Sequence, residues 1–284
     1  MEIKNVGVIG VGTMGSQIGI VCARGGYETT MVDLSDDRLK EGWQRIQSFL
    51  QGQEKRGRMD KELVDTILSR ITTSIDLEES LSKADLVIEA VYEDMEIKKE
   101  VFQRMDKAAS AETILASNTS TLWITEIATA TNRPEKCIGT HFLIPAALTP
   151  LVEVVRGVET SDETHDKVVA FLRNCGKETV TVVDAPGFVI NRIYLPMINE
   201  AFCILENDLC SAEEIDRSCT KGLGFPLGPL AAADASGLDI VLACIQTLHR
   251  ELGEKYRPAP LLVKLVKAGH LGRKTGQGVY RYGK

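Results

Sequence analysis

Residues 10–15 and Asp33 are the first residues whose types and spacing could bind a ligand. The segment reads Gly-Val-Gly-Thr-Met-Gly and lies between an apolar run and a stretch with helical periodicity. In a G-x-G-x-x-G turn the first glycine permits a tight bend, the second lets the backbone approach a pyrophosphate, and the third allows close helix packing. The N–H groups at the start of the helix then face the phosphates. The pattern predicts that a dinucleotide is bound by Gly10, Val11, Gly12, Thr13, Met14 and Gly15.

Asp33 indicates which dinucleotide is bound. A carboxylate at the end of the second strand accepts hydrogen bonds from the ribose hydroxyls and repels a 2′-phosphate. Leu34 and Ser35 follow it and supply no cation for such a phosphate. Arg38 is the only nearby cation, and we expect it to be an ordinary exposed helix residue. The expected cofactor is therefore NAD rather than NADP.

His141 and Glu153 could carry out proton transfer. A neutral imidazole can act as a general base near neutral pH, and a paired carboxylate fixes its tautomer and stabilises its charged form. Their spacing suits two neighbouring strands joined by a loop. A single His–Glu pair is, however, more often a structural hydrogen bond, so these two residues alone leave both interpretations open.

Alternating strands and helices are needed to bring these side chains together. Short apolar runs predict strands at residues 4–9, 28–32, 86–91 and 113–117, and helical periodicity separates them at 14–24, 36–50, 60–69 and 96–107. Residues 55–58 are interpreted as a turn. This alternation predicts a parallel sheet. Three β-rich segments, at residues 137–142, 151–155 and 178–183, are expected to close the sheet, with one helix between them at 163–175.

The segment Asp184-Ala185-Pro186-Gly187 interrupts this pattern. Helical periodicity follows at residues 189–207, 212–221 and 237–251. We therefore place a domain boundary here and predict an α/β, Rossmann-type N-terminal domain of residues 1–185 and an all-α C-terminal domain of residues 186–284.

Composition excludes several classes of function. The net charge of −7 argues against a surface for duplex nucleic acid, which needs clustered cations. The seven cysteines form no C-x-x-C pair, and no spacing of histidines is typical of a metal site. The spacing of these residues therefore predicts a protein without a metal. No run approaches the roughly 18 apolar residues of a membrane span, so we expect a cytoplasmic protein. The apolar helical segments 190–205 and 238–248 predict a homodimer or a higher homo-oligomer.

Five further motifs occur in order along the chain. They are Ser117-Asn118-Thr119-Ser120, Thr140-His141-Phe142, Leu151-Val152-Glu153-Val154, Pro186-Gly187-Phe188-Val189-Ile190-Asn191-Arg192 and Leu271-Gly272-Arg273-Lys274-Thr275-Gly276. With the glycine turn, they make the sequence resemble the L-3-hydroxyacyl-CoA dehydrogenases over nearly its whole length, particularly the short bacterial 3-hydroxybutyryl-CoA dehydrogenases. The resemblance implies reversible oxidation of a short-chain L-3-hydroxyacyl-CoA with NAD.

The resemblance also implies roles for individual residues. His141 would be the general base, Glu153 its partner, and Ser120 and Asn191 the residues that hydrogen-bond the reacting oxygen. The cofactor would in addition be contacted by Glu93, Lys98, Asn118 and Lys274. Lys55 and Arg56, with Arg58, are the candidates for the phosphates of coenzyme A.

Structural alternatives exist for most of these roles. Ser120 could cap a helix beginning at Leu122, and Asn191 could satisfy backbone groups near the domain boundary. Glu93 and Lys98 could form an exposed pair at a helix start. Lys274 could be a solvated loop residue, and the cations at 55–58 could be a solvated charge run.

One segment departs from the family pattern. The loop after the histidine usually reads Phe-Phe-Asn-Pro, whereas this chain has Phe142-Leu143-Ile144-Pro145. Ile144 removes an amide beside the expected base. Two alternatives therefore stay open: a dehydrogenase of a compound without coenzyme A, similar to the lambda-crystallin, gulonate and carnitine dehydrogenase branch, or a non-catalytic NAD-binding protein similar to a crystallin.

Overall fold

A mixed eight-stranded sheet forms the centre of the first of two units, Met1–Asp184, in the computed structural model, which describes residues 2–283. The strands are β1 (Asn5–Ile9), β2 (Glu28–Val32), β3 (Ile71–Ser74), β4 (Leu86–Glu89), β5 (Ile114–Ser117), β6 (Cys137–Phe142), β7 (Leu151–Arg156) and β8 (Glu178–Val183). Their spatial order is β3-β2-β1-β4-β5-β6-β7-β8. All neighbours pair in parallel except β6 and β7, which are antiparallel. The first six strands have the order typical of dinucleotide-binding sheets.

Helices cover both faces of this sheet. They are α1 (Thr13–Arg24), α2 (Asp36–Lys55), α3 (Lys61–Ser69), α4 (Leu77–Leu81), α5 (Met95–Ala108), α6 (Ile124–Ala128) and α7 (Asp162–Asn174). Alternate residues of β4 enter two separate hydrophobic clusters, with Leu86 and Ile88 in one and Val87 in the other. Every residue of β4, β5 and β6 is buried. Burial on both faces explains why these central strands read as continuous apolar runs.

Three features of this unit differ from the expectation. The sequence patterns did not identify β3 or α4; β3 is an edge strand of sequence ITTS and has only its first residue buried, so it carries no apolar alternation. Helix α2 continues to Lys55, so Lys55 lies in its last turn rather than in a loop. The sheet is also not wholly parallel, because β7 reverses direction after β6.

The second unit, Ala185–Lys284, is helical over its described residues. Its helices are α8 (Ile190–Glu206), α9 (Ala212–Gly222), α10 (Pro229–Ser236), α11 (Leu238–Leu252) and α12 (Pro260–Lys267). They enclose a core that includes Phe202, Leu230 and Leu248. Helices α10 and α12 are short and were not predicted; each begins with a proline, which is favourable at the first helical position. The predicted fold class, a Rossmann-type α/β unit followed by an all-α unit, is confirmed.

Membrane-spanning potential was assessed on the described helices. None of them alone is long and apolar enough to cross a membrane, whereas the bent pair α10 and α11 passes together on length and composition.

Candidate active site

The glycine turn lies where β1 passes into α1. Gly10 has φ +89°, and a Cβ there would lie 2.8 Å from the Ala90 carbonyl oxygen. A Cβ on Gly15 would lie 1.7 Å from the Gly10 carbonyl oxygen, whereas one on Gly12 would meet nothing within 4 Å. The absence of a side chain at Gly10 and Gly15 therefore allows neighbouring backbone segments to approach closely. Gly12 leaves open space at the start of α1. That helix start has no side-chain cap, so its N–H groups suit a pyrophosphate.

Asp33 directly follows β2 and lies beside this turn. One carboxylate oxygen accepts the Val11 N–H at 2.7 Å, and the other accepts the Leu34 N–H at 2.7 Å. Each oxygen keeps a second lone pair that can accept a ribose hydroxyl. The exposed guanidinium of Arg38 lies 3.9 Å from the carboxylate. Together the glycine turn and Asp33 fit the phosphates and one ribose of a dinucleotide.

His141 and Glu153 lie directly opposite each other on β6 and β7. His141 Nδ1 is 2.7 Å from Glu153 Oε2, and the two side chains are 4% and 1% exposed. With the carboxylate as acceptor, Nδ1 carries the proton, so Nε2 is the nitrogen able to accept one. Because β6 runs parallel to β1 within the sheet, His141 and the glycine turn lie toward the same edge, formed by the carboxyl ends of the strands.

A buried charged group connects β4 to α5. Lys98 Nζ lies 2.6 Å from Glu89 Oε1 and 3.4 Å from Glu93 Oε2, and the Lys98 side chain is only 1% exposed. Burial acts to lower the pKa of Lys98, but the two carboxylates outweigh it and raise the pKa overall. Glu89 also accepts hydrogen bonds from the Ser117 hydroxyl and the Val91 N–H, each at 2.7 Å. This cluster excludes the alternative in which Lys98 is an exposed helix residue.

Glu93 holds the segment that follows β5. Its Oε1 accepts the Thr119 hydroxyl and the Ser120 N–H, both at 2.7 Å, and the Thr121 N–H at 3.0 Å. Burial acts to raise the pKa of Glu93, but Lys98 and these hydrogen bonds lower it overall. The carboxylate is therefore ionised and fixes the backbone that carries Ser120.

Asn118 connects the same segment to the strand that bears His141. Its side-chain oxygen accepts the Phe142 N–H at 3.0 Å, and its own N–H donates to the Glu89 carbonyl oxygen at 2.8 Å. The ends of β4, β5 and β6 are thus joined by hydrogen bonds. Within the first unit, hydrogen bonds from Glu93 and Asn118 therefore hold the backbone at Ser120 and at the end of the strand that carries His141.

The helix that follows Ser120 begins later than expected. Helix α6 begins at Ile124, not at Leu122 as expected, and its N-cap is Trp123. The first N–H groups of α6, from Ile124 and Thr125, donate to Asp184 at 3.1 and 2.7 Å. The carboxylate of Asp184, the residue after β8, therefore accepts the first N–H groups of α6.

The remaining candidates lie elsewhere. Lys55 and Arg56 have exposed side chains at the C-terminal end of α2. In the second unit, Asn191 lies in the first turn of α8, and Lys274 Nζ pairs with Asp239 Oδ1 at 2.6 Å. Within residues 2–283, no cluster of three or more histidine, cysteine, aspartate or glutamate side chains could hold a metal ion.

Sequence reasoning missed Glu89 and Asp184. Glu89 ends the apolar run Leu-Val-Ile-Glu on a strand buried at every position. A charged residue inside such a run must be paired or hydrogen-bonded, and this was the signal available in the sequence. Asp184 offered no comparable signal, because its partners on α6 lie 59 and 60 residues away along the chain.

Comparisons with known proteins agree with this arrangement. The family model for the NAD-binding domain of 3-hydroxyacyl-CoA dehydrogenase matches residues 5–185, and the model for the C-terminal domain of that family matches residues 187–282. The chain is 46% identical to the probable 3-hydroxybutyryl-CoA dehydrogenase of Bacillus subtilis, over 99% of this chain and 98% of the relative.

Two solved structures are also similar to the chain. The (S)-3-hydroxybutyryl-CoA dehydrogenase of Ralstonia eutropha superposes with a TM-score of 0.93 at 43% identity, covering 100% of both chains. A diketoreductase described as acting on dicarbonyl compounds superposes with a TM-score of 0.84 at 31% identity, covering 99% of this chain and 100% of its own.

Proposed function

Because the chain belongs to the 3-hydroxyacyl-CoA dehydrogenase family, an NAD-dependent family, we propose that it interconverts a short-chain L-3-hydroxyacyl-CoA and the 3-ketoacyl-CoA. The choice of a short acyl chain rests on the relatives that are named for 3-hydroxybutyryl-CoA. The observation that carries the proposal is the buried His141–Glu153 pair, which lies toward the same sheet edge as the glycine turn.

Proton transfer is the protein's main chemical task in this reaction. A nicotinamide bound at the glycine turn and Asp33 would supply or accept the hydride at carbon 3 of the substrate. We assign removal of the hydroxyl proton to His141 Nε2, because Nδ1 is bonded to Glu153. As the imidazole becomes charged, the Glu153 carboxylate stabilises it and keeps the ring in place.

Ser120 and Asn191 are proposed to hydrogen-bond the reacting oxygen. Donors already fixed in position stabilise negative charge on oxygen without reorganising during the reaction. For Ser120 the support is that Glu93 accepts its N–H and so fixes its backbone. For Asn191 the proposal rests on the family motif alone.

The cofactor is proposed to be held by residues 10–15, Asp33, Glu93, Asn118 and Lys274. Lys98 acts on it through Glu93 rather than directly, because its ammonium is buried between two carboxylates. Lys55 and Arg56 are proposed for the phosphates of coenzyme A. In this scheme the domain of residues 1–185 binds NAD, and the domain of residues 186–284 serves the substrate and assembly.

A second candidate function keeps the mechanism but uses a dicarbonyl compound without coenzyme A. Two observations favour it: the similarity to a diketoreductase, and Ile144 in place of the asparagine usual in the family loop. The proton-transfer pair would serve either substrate equally.

One assay separates these functions. Purified protein is mixed with NADH and either acetoacetyl-CoA or pentane-2,4-dione, and NADH absorbance is followed. We expect rapid NADH oxidation with the thioester only. Oxidation with the dione only would favour the second candidate. Binding of NADH without turnover of either compound would contradict both and support a non-catalytic protein.

A further inference from the structure

The loop of residues 143–150 joins the two strands that carry His141 and Glu153. Its backbone is held from one side by Lys177, the residue before β8, whose side chain is buried. Lys177 Nζ donates to the carbonyl oxygens of Ala146 and Thr149, each at 2.7 Å. The residue as a whole is only 8% exposed. This lysine therefore fixes the loop that follows the proposed base.

Lys177 is unusual because carbonyl oxygens, not carboxylates, surround its ammonium. Among the ion pairs of residues 2–283, none includes Lys177. Burial lowers its pKa, Arg24 acts in the same direction, and Cys175 opposes them. Burying an ammonium is unfavourable unless hydrogen bonds replace its hydration. The two loop carbonyls supply that replacement, so the position of the loop and the charge of Lys177 depend on each other.

A second tether joins the loop to α1. The Ala147 N–H donates to the Gln17 side-chain oxygen at 3.3 Å. Helix α1 begins at the glycine turn, so the loop is bonded both to the helix of the proposed cofactor site and to the start of β8.

The side chains of the loop separate into two groups. Ala146 and Ala147 are buried, whereas Ile144 is 59% and Leu148 46% exposed. The exposed pair follows the carboxyl end of β6, and ligands of open α/β sheets bind at the carboxyl ends of the strands. Two exposed alkyl side chains there suit the hydrocarbon part of an acyl group.

We propose that loop 143–150 is the surface against which the acyl part of the substrate packs, with Ile144 as a specificity-determining residue and Lys177 and Gln17 as positioning residues. This inference rests on the function proposed above. The tethers hold the loop backbone, and the exposed alkyl groups set which acyl chains fit.

The first test compares Lys177→Met with the control Lys167→Met, which removes a surface lysine that pairs with Glu163 on α7. A misplaced loop is expected to raise KM for acetoacetyl-CoA roughly tenfold or more. The Kd of NADH, measured by fluorescence, should stay within about twofold, because the groups that hold the cofactor are untouched. The control variant should leave both constants unchanged.

If Lys177→Met does not fold, Gln17→Ala carries the same test, because it removes a tether without leaving two carbonyl groups buried. It should raise KM in the same direction by a smaller factor. Equal changes in KM and in the NADH Kd, or no change in either, would overturn the positioning role. A wild-type enzyme inactive with acetoacetyl-CoA would instead contradict the proposed function itself.

Ile144→Asn tests the specificity role. Replacing an alkyl contact by an amide should lower kcat/KM for a 3-ketoacyl-CoA two carbons longer than acetoacetyl-CoA more than for acetoacetyl-CoA itself, by about tenfold in the ratio. The thermal midpoint should be unchanged, because the side chain is exposed. An unchanged ratio would remove Ile144 from the specificity surface.

Discussion

The proposed mechanism gives the hydrogen-bonded residues His141 and Glu153 different parts in one proton transfer. His141→Ala deletes the base, which typically costs about 10²–10⁴ in rate. Glu153→Gln keeps a hydrogen-bonding shape but removes the charge that stabilises the imidazolium. We expect both variants to be nearly inactive with acetoacetyl-CoA, and we expect the pH–rate profile of Glu153→Gln to differ from that of wild type. NADH affinity should survive both changes within a few fold.

The chain contains a matched control for this prediction. His249 and Glu254 form another His–Glu pair, with 3.0 Å between Nε2 and Oε1, and Glu254 is largely exposed. His249→Ala should leave kcat unchanged. If Glu153→Gln keeps the wild-type rate and pH profile, Glu153 is structural and the proposed dyad is wrong.

Asp33 is proposed to determine the choice between NAD(H) and NADP(H). Its carboxylate is held beside the glycine turn by the N–H groups of Val11 and Leu34. A 2′-phosphate placed on the ribose would be repelled, so NAD(H) should bind at least about tenfold more tightly than NADP(H), a difference of about 1.4 kcal/mol. Asp33→Ala should narrow this gap in a fluorescence titration. Equal affinities in the wild-type protein would contradict the assignment.

For individual residues, the sequence identified candidate site residues more readily than the side chains with which they form hydrogen bonds or ion pairs. The glycine turn and the acid after it could be identified because each residue type has one backbone or ligand task. Lys98 was predicted to contact the cofactor, but the sequence did not indicate that its ammonium is paired with Glu89 and Glu93. A partner that comes from another strand is set by packing and cannot be read from local spacing.

At the scale of the elements, the side chain of Lys98 stabilises the carboxyl ends of β4 and β5 through Glu89 and Glu93. Lys98 on α5 compensates two carboxylates, and removing one partner of a buried ion pair costs about 3–5 kcal/mol. Lys98→Met should therefore lower the free energy of unfolding by about this amount in urea titrations. Lys99→Met is the control: Lys99 pairs with the half-exposed Glu126, and such a pair contributes about 0–1 kcal/mol.

The pH dependence of the Lys98→Met effect gives a second measurement. The pKa of Glu93 is lowered on folding, so its ionised form adds stability above the ordinary glutamate pKa and loses it as the pH falls through the lowered value. The pKa of Lys98 is raised, so its contribution is complete below the ordinary lysine pKa and is lost only as the pH rises through the raised value. The Lys98→Met effect should thus be constant near neutrality and shrink in acid. If Lys98→Met lowers the free energy of unfolding no more than Lys99→Met does, the buried ion pairs of Lys98 do not make the expected contribution to stability.

The elements also separate what local patterns can predict from what they cannot. The buried strand β4 was identified because burial on both faces favours a continuous apolar run. The edge strand β3 was missed, since its sequence carries little apolar signal and its pairing with β2 decides its conformation. The reversal at β7 was also outside local information, because it depends on which strand lies next to β6.

For the whole molecule, assembly is the principal open prediction. Most apolar residues of the segments 190–205 and 238–248 pack into the core of their own unit, whereas Ile193 and Ile240 are 69% and 52% exposed. A homodimer would therefore use these two side chains rather than the whole segments. Light scattering at micromolar concentration should report a dimer, and Ile240→Glu should shift it toward monomer.

The control for assembly lies in the other unit. Val158 is 79% exposed, and Val158→Glu introduces the same charge on an exposed residue of the first unit. It should leave the molar mass unchanged. A wild-type protein that is monomeric at micromolar concentration would overturn the prediction of a dimer.

His141 and Glu153 face each other across the antiparallel strands, and this restricts how the gene can vary. Loss of one codon within β7 would turn the carboxylate to the opposite face of the sheet, since side chains alternate along a strand. Point changes in the codons for Ile144 and Leu148 alter exposed side chains and leave both strands in register. Under the roles proposed here, mutation in the loop can therefore change the substrate while the His141–Glu153 pair is inherited unchanged.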